Sequence, residues 1–318
     1  MPKIPTYDDV QAAADRIRPH VHRTPVFTSG TLNTMTAATL YLKCESLQRT
    51  GSFKARGGCN SVFSLSEEEA ARGVATHSSG NHAQAIAYAA GLRGIPATIV
   101  MPKDAPPVKV AAVRDYGARI VFAGSHPLDR ENKLEEVLAE TGVVFVHPSN
   151  DFHVIAGQGT AALELLEDHP GLDIVMAPVG GGGLLSGTAL AVAGSGGGCR
   201  TMAAEPMTVD DAYRSWRDGV IYPPTNGETV ADGLRTFLGD VTFPIVREHV
   251  SEIVTVTEQG IIDAMRLVWE RMKLIVEPSS AVPVAALFEH PDVFRGKRVG
   301  IILSGGNVGL ERLPWQEE

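Results

Sequence analysis

The run Ile174-Val-Met-Ala-Pro-Val-Gly-Gly-Gly-Gly-Leu-Leu-Ser-Gly187 decides the fold. An apolar stretch of strand length ends in consecutive glycines, and the chain passes into a helix before Thr188. A strand buried on both faces that leads through glycine into a helix is the junction of a parallel α/β sheet. Gly180–Gly183 offers successive backbone N–H groups with no Cβ to hinder an anion, and the helix dipole adds to them. A tight turn is the simpler explanation, but four glycines exceed what a turn needs. The loop is not a Walker A motif, because Thr188 follows Gly187 where a lysine is required. It is not the dinucleotide fingerprint either, since Ser186 holds the third glycine position. These exclusions leave a smaller phosphorylated cofactor as the expected ligand.

Two other junctions repeat the design. Val74-Ala-Thr-His-Ser-Ser-Gly-Asn-His-Ala83 runs into a helix starting near Asn81, and Val299-Gly-Ile-Ile-Leu-Ser-Gly-Gly-Asn307 ends a strand near the C-terminus. Further strands are expected at Leu40–Lys43, Gly73–His77, Ala97–Met101, Arg119–Phe122, Val143–His147, Thr201–Glu205 and Ile253–Thr257. Helical patterns lie between them at Asn81–Leu92, Lys109–Tyr116, Arg130–Glu140, Gly157–Leu166 and Glu258–Arg271. This cadence predicts an α/β protein with mainly parallel sheets covered on both faces. In such sheets ligands bind beyond the carboxyl ends of the strands, so three glycine-rich ends mark one or two clefts.

The 318 residues suggest about two domains. With 37 acidic and 28 basic residues the net charge is −9, which argues against nucleic acid or anionic membrane held by bulk charge. Cys44, Cys59 and Cys199 form no CxxC pair, so neither a disulfide framework nor a thiolate zinc site is expected. No signal-type segment or membrane-length apolar run is present, and a reduced cytoplasmic enzyme is the default expectation. Glycine, at 33 residues, exceeds the usual share of about 7% and clusters at the ends of apolar runs.

Three segments carry candidate chemistry. In Thr50-Gly-Ser-Phe-Lys-Ala-Arg-Gly-Gly58, Lys54 stands at the start of a helix through Asn60–Leu65. It is either a solvated first-turn residue or, beside a phosphate cradle, a Schiff-base lysine whose amine must be partly desolvated. In His77-Ser-Ser-Gly-Asn-His82 the histidines are five apart across a turn, which does not suit zinc. Ser78, Ser79, Asn81 and the helix N-terminal amides suit a carboxylate ligand, or simply cap the helix. Glu205-Pro-Met-Thr-Val-Asp-Asp211 reads either as an N-cap by Asp210 or Asp211, or as a hard-cation site.

Taken together, Gly-Ser-Phe-Lys54, Ser78-Ser-Gly-Asn-His82, Gly180–Gly183 and Ser304-Gly-Gly-Asn307 resemble the fold-type II pyridoxal-phosphate enzymes, more narrowly the serine racemase and serine/threonine dehydratase family. The likeness covers nearly the whole chain and includes His22-Arg-Thr-Pro25, Val154-Ile-Ala-Gly-Gln-Gly-Thr160, Ala231-Asp-Gly233 and Leu267–Pro278. It implies two open twisted, mainly parallel sheets of tryptophan synthase β type. A large cofactor domain would comprise 1–71 and 151–318, and a small mobile substrate domain 72–150.

The resemblance also assigns roles. Lys54 would carry pyridoxal 5'-phosphate and act as base, and Phe53 would pack beside the cofactor. Asn81 would bond the pyridine 3-oxygen, Gly180, Gly181, Gly182 and Gly183 would hold the phosphate, and Ser304 would face the ring nitrogen. A hydroxyl there makes the ring a weaker electron sink than an aspartate would, which favours β-elimination. Ser78, Ser79, Asn81 and His82 would take the substrate carboxylate, and Ser79 matches the opposite-face acid/base of racemases. Glu205, the Val209 carbonyl and Asp211 match a divalent-cation site for Mg²⁺, Mn²⁺ or Ca²⁺. Arg130 is either solvated at the start of its helix or reaches a second substrate carboxylate. One position departs: Ser149-Asn150 follows His147-Pro148 where many relatives have asparagine.

The implied activity is a dehydratase that converts serine, threonine or 3-hydroxyaspartate to a 2-oxo acid and ammonia. The C-terminal half looks particularly close to 3-hydroxyaspartate dehydratases, in Asp210-Asp-Ala-Tyr-Arg-Ser215 and Asn307–Trp315. A serine or aspartate racemase with dehydratase side activity is the alternative, and a non-enzymatic binder of a phosphorylated ligand a third. A homodimer is expected from the family alone.

Overall fold

The computed structural model describes residues 2–316, leaving aside Ser79, Pro106, Arg312 and the side chains of Val108 and Pro127. Its strands among the described residues are β1 (Val26–Phe27), β2 (Thr39–Cys44), β3 (Val74–His77), β4 (Ala97–Pro102), β5 (Arg119–Ala123), β6 (Val144–Phe145), β7 (Ile174–Pro178), β8 (Arg200–Pro206), β9 (Val250–Val256) and β10 (Arg298–Leu303). They form a six-stranded sheet of order β1-β2-β10-β7-β8-β9 and a four-stranded sheet of order β5-β4-β3-β6. Every pairing is parallel except β1 with β2. The last strand of the chain, β10, thus sits between β2 and β7 in the large sheet.

The strands lack polar alternation because both faces are covered. Along β7, Ile174 and Met176 enter one core while Val175 and Ala177 enter the other. The first core is closed by helices Glu258–Met272 and Pro278–Glu289, the second by Phe152–Asp168 and Gly183–Gly194. In the small sheet Ile99 and Met101 pack on one side of β4 and Val100 on the other.

Some expected boundaries shift for local reasons. Helix Phe152–Asp168 starts well before Gly157, because the Asp151 side chain accepts from Val154 N at 2.8 Å and caps it. The expected strand Val143–His147 shrinks to β6, its tail diverted where the His147 ring accepts from the N–H of Ser149 and Asn150. The two-residue β1 is too short to leave a pattern in the sequence.

The Val154–Thr160 motif serves packing. A Cβ on Gly157 would lie 2.7 Å from Gly57 Cα, so helices Lys54–Phe63 and Phe152–Asp168 meet backbone to backbone. A Cβ on Gly187 would lie 2.4 Å from Gly159 N, which makes Gly187 a helix contact rather than part of the anion cradle.

Beneath Lys54's helix lies a four-charge cluster whose members Lys43, Glu45 and Arg56 are buried and whose Glu164 is part-buried. Arg56 Nε bonds Glu45 at 2.7 Å, its Nη1 bonds Glu164 at 2.8 Å, and Lys43 Nζ reaches Glu164 at 2.6 Å. The His22–Pro25 motif closes it: Arg56 also donates to His22 O, Lys43 to Thr24 O, and the Thr24 hydroxyl to Glu45. Two cations face two anions, so the cluster is neutral within the core.

Candidate active site

The Lys54 segment is joined to the end of β10. Ser52 bridges Gly305, and Phe53 N donates to Ser304 O at 2.9 Å. Lys54 Nζ donates to Pro148 O at 2.6 Å and lies 5.1 Å from the centroid of the Phe53 ring. The side chain keeps some accessible surface, but the packing around Nζ pushes its pKa down to about 8, against a weaker opposing pull from Glu277. The amine is therefore not the freely solvated ammonium of a surface lysine.

The four glycines after β7 are buried, and helix Gly183–Gly194 begins with Gly182 at φ 80° and no side-chain cap. Its first N–H groups have no intrahelical acceptor. Side chains are excluded from this loop by its neighbours. A Cβ on Gly180 would lie 2.9 Å from Leu234 Cα, one on Gly181 2.3 Å from Ser149 Oγ, and one on Gly183 2.9 Å from Ser149 Cα. A bare, dipole-backed cradle suits a phosphate monoester, and an amine of depressed pKa suits an aldehyde; this pair fits pyridoxal phosphate.

Asn81 opens helix Asn81–Arg93 beyond β3 and reaches across to the large sheet. Its Nδ2 donates to Glu277 at 2.9 Å, and its Oδ1 accepts from Asn307 Nδ2 at 2.8 Å. Asn307 also donates to Thr50 O at 2.7 Å, where Thr50 holds a left-handed φ of 58°. An amide nitrogen carries two hydrogens, so Asn81 keeps one for a ligand oxygen. Burial, aided by the Asp232 charge, pushes Glu277 up to about 7 against the bond from Asn81. Ser304 Oγ lies 3.1 Å from Ser280 Oγ, which also contacts Gly305 O.

The carboxylate-binding candidates are placed unequally. Ser78 Oγ accepts from Gly80 N at 3.2 Å, an ordinary turn contact. Ser79 lies outside the described residues. His82 Nε2 faces Val146 O at 3.1 Å, and its buried Nδ1 has no partner. Burial, then the Lys54 charge, hold the ring well below its usual pKa, so a neutral imidazole donating to Val146 leaves only a lone pair at Nδ1. A carboxylate needs donors, and the donor that His82 presents for one is its main-chain N–H in the first turn of the helix. Arg130 is part-buried and its Nε is buried without a partner. Its charge, after desolvation, helps lower the pKa of His77 at the carboxyl end of β3.

The Asn150 side chain is engaged on the side of helix Thr242–His249. Its Nδ2 donates to Asp240 at 2.7 Å and its Oδ1 accepts from Val241 N at 2.9 Å, so it holds the start of helix Thr242–His249 and is not directed at the cradle.

After β8, the buried Glu205 accepts from Ala212 N at 3.0 Å and Tyr213 N at 2.7 Å, and so caps helix Asp211–Asp218. Asp210 occupies the N-cap position but makes no capping bond. Asp211 Oδ2 is buried without a partner, and burial pushes its carboxyl up to about 7. Burial, and less strongly the Asp211 charge, raise Glu205 well above the usual range. Among the described residues no group of three His, Cys, Asp or Glu side chains surrounds a metal position, so any cation here takes two carboxylates and main-chain oxygen.

Glu277, His147 and the buried charge cluster escaped the sequence reading. Glu277 sits within the quoted motif, but nothing local says that it faces Asn81, some two hundred residues away. His147 shows its role only once two main-chain N–H groups are seen to converge on Nδ1.

Fold and site define a cofactor enzyme built around a lysine and a phosphate cradle. A model of the pyridoxal-phosphate dependent enzyme family matches residues 17–305, and the chain belongs to that family. It is 52% identical over 312 residues to a beta-hydroxyaspartate dehydratase of Paracoccus denitrificans, covering 98% of this chain and 99% of the relative. It is 47% identical over 310 residues to an L-threo-3-hydroxyaspartate ammonia-lyase of Saccharomyces cerevisiae, covering 97% and 95%. The crystal structure of serine racemase from Dictyostelium discoideum superposes with a TM-score of 0.92 at 47% identity, covering 96% of this chain and 99% of that one.

Proposed function

We propose that the protein is a dehydratase that removes water and then ammonia from a β-hydroxy amino acid, with 3-hydroxyaspartate as the preferred class. The observation that carries the reading is the placement of Arg130: a part-buried guanidinium with an unpartnered Nε beside His77. A β-carboxylate would pair with it bidentately, whereas serine and threonine bring no such group. The similarity to the dehydratase of Paracoccus and the ammonia-lyase of yeast supports it.

Bound pyridoxal phosphate would supply the electron sink for breaking the bond to the α-hydrogen. Lys54, Phe53, Asn81, Gly180–Gly183 and Ser304 would hold it. Lys54, with its depressed pKa, would take the proton from the substrate α-carbon. Helix N-terminal amides at Asn81 and His82, with Ser78 and Ser79, would fix the α-carboxylate. Residues 72–150 would close as the mobile unit, with Lys109 on that unit 3.3 Å from Asp232 on the other. The buried, unpartnered Asp211 Oδ2 supports a divalent cation at Glu205, Asp211 and the Val209 carbonyl. Phe27 on the edge strand β1 is 40% exposed, an apolar edge that suits the expected homodimer.

The test is a panel of serine, threonine and the four 3-hydroxyaspartate stereoisomers, with and without EDTA, scored for ammonia and 2-oxo acid. Turnover of at least one hydroxyaspartate isomer is expected, and Arg130→Ala should lose it while sparing serine. Equal loss on both substrates would remove the specificity argument. The likeness to serine racemase favours a second reading, racemisation with elimination as a side reaction. In D₂O it would give α-deuterated antipode, lost selectively in Ser79→Ala.

A further inference from the structure

We propose that Glu258 is a positioning residue whose carboxylate ties the loop at Thr208 to the turn that leans on the glycine cradle, so that cation binding and cofactor retention support each other. The inference rests on the reading of Glu205, Val209 and Asp211 as a cation site.

An acidic residue in the first turn of a helix is ordinary, because it meets the positive end of the helix dipole. Glu258 opens helix Glu258–Met272, but both its oxygens are taken by loops. Oε1 accepts from the Thr208 hydroxyl at 2.8 Å, and Oε2 from the Thr229 hydroxyl at 3.1 Å and Val230 N at 2.8 Å. Its own backbone is firmly placed. The preceding Thr257 donates its N–H and hydroxyl to Glu289, at 3.0 and 2.6 Å, and accepts from Gly260 N. Among the described residues no hydrogen bond runs directly between 205–211 and 229–234, so the Glu258 carboxylate is their common tie.

Each tied segment has a functional neighbour. Thr208 precedes Val209, whose carbonyl is proposed for the cation, and the Thr208 carbonyl accepts from the Thr225 hydroxyl at 3.3 Å. A Cβ on Gly227 would run into that same carbonyl, so Thr208 is gripped from both sides. On the other segment the Thr229 hydroxyl accepts from Ala231 N at 3.1 Å, and Arg235 holds Thr229 O at 2.9 Å. The turn that follows leans on the cradle, with Leu234 Cα 2.9 Å from where a Gly180 Cβ would stand. It also presents Asp232 to Lys109 at 3.3 Å. Hydrogen bonds to a carboxylate are charge-assisted and hold such segments more firmly than neutral ones. Ordering the loop at one end therefore orders the turn at the other, and by linkage each ligand strengthens the other by the same factor.

The test uses the enzyme with pyridoxal phosphate bound and Mn²⁺ as the probe, the free ion being read by electron paramagnetic resonance. Glu258→Gln, in which an amide nitrogen replaces one acceptor oxygen, should weaken Mn²⁺ about tenfold, the usual cost of losing a group that supports metal ligands. Thr208→Val removes one hydroxyl from the exposed loop and should act in the same direction, and it decides alone if the first variant does not fold. In the parent, Mn²⁺ should slow the loss of pyridoxal phosphate on dilution, and that ratio should fall toward one in both variants. A residue that only stabilised the fold would lower the melting temperature and leave Mn²⁺ affinity and the ratio where they were. Parent-like affinity in the variants would overturn the proposal, as would weaker Mn²⁺ binding with an undiminished ratio. A parent enzyme that takes up no Mn²⁺ would instead overturn the cation reading on which it stands.

Discussion

Lys54 is where residue-scale chemistry is most exposed to test. An ordinary lysine has half its amine neutral only near pH 10.5, whereas burial brings Lys54 to about 8. Lowering the pKa of a base enlarges its neutral fraction, so reactivity should rise through pH 8 and level off above it. The rate of pyridoxal-phosphate uptake by stripped enzyme, measured from pH 6 to 10, should follow that profile. A midpoint near 10 would mean that the amine is solvated. Asp211 shifts the other way: burial lifts its carboxyl to about 7. A cation requires the carboxylate, so metal-induced thermal stabilisation should be larger at pH 8 than at pH 6. Asp211→Asn should abolish it, and an EDTA-insensitive melting temperature in the parent would count against the site.

Among elements, the contact between helices Lys54–Phe63 and Phe152–Asp168 sets the position of the lysine. Gly157→Ala would place a methyl 2.7 Å from Gly57 Cα and 2.8 Å from Arg56 O, both main chain that cannot rotate away. Destabilisation of about 1–3 kcal/mol is expected from this overpacking, with loss of cofactor occupancy, measured by denaturant unfolding and visible absorbance. Gly30→Ala is the control, since nothing lies within 4 Å of its added methyl. The strands were legible in the sequence because burial on both faces removes polar residues and leaves short apolar runs. The caps were less so. Asp151 reads as a cap within its own segment, but helix Asp211–Asp218 is capped from the preceding strand by Glu205, a relation set by the turn between them. Likewise the cradle is visible as four glycines, while Ser149, which lies against it, comes from another sheet's exit.

For the molecule as a whole, thiol chemistry reports on the core. Burial pushes Cys44 and Cys59 up to about 12 and Cys199 to about 11. The reactive form is the thiolate, so native protein at pH 8 should react slowly with Ellman's reagent and release all three equivalents only when denatured. Rapid titration of two thiols before unfolding would show that these packed cores open readily. The net charge of −9 matters here too: an overall anionic protein must capture a dicarboxylate through local donors, which is the task given to Arg130 and the helix N-termini.

The cluster of Lys43, Glu45, Arg56 and Glu164 bears on how this sequence can change. Losing any one member strands an opposite charge in the core, at about 3–5 kcal/mol, a large part of a typical domain's stability. Single substitutions are therefore costly, while simultaneous replacement of all four by apolar residues of similar volume would be tolerated far better. The four positions behave as one inherited unit. In a library randomising them together, folded variants should be charge-balanced, either fully charged, wholly apolar or keeping the Arg56–Glu45 pair, with the unbalanced combinations depleted.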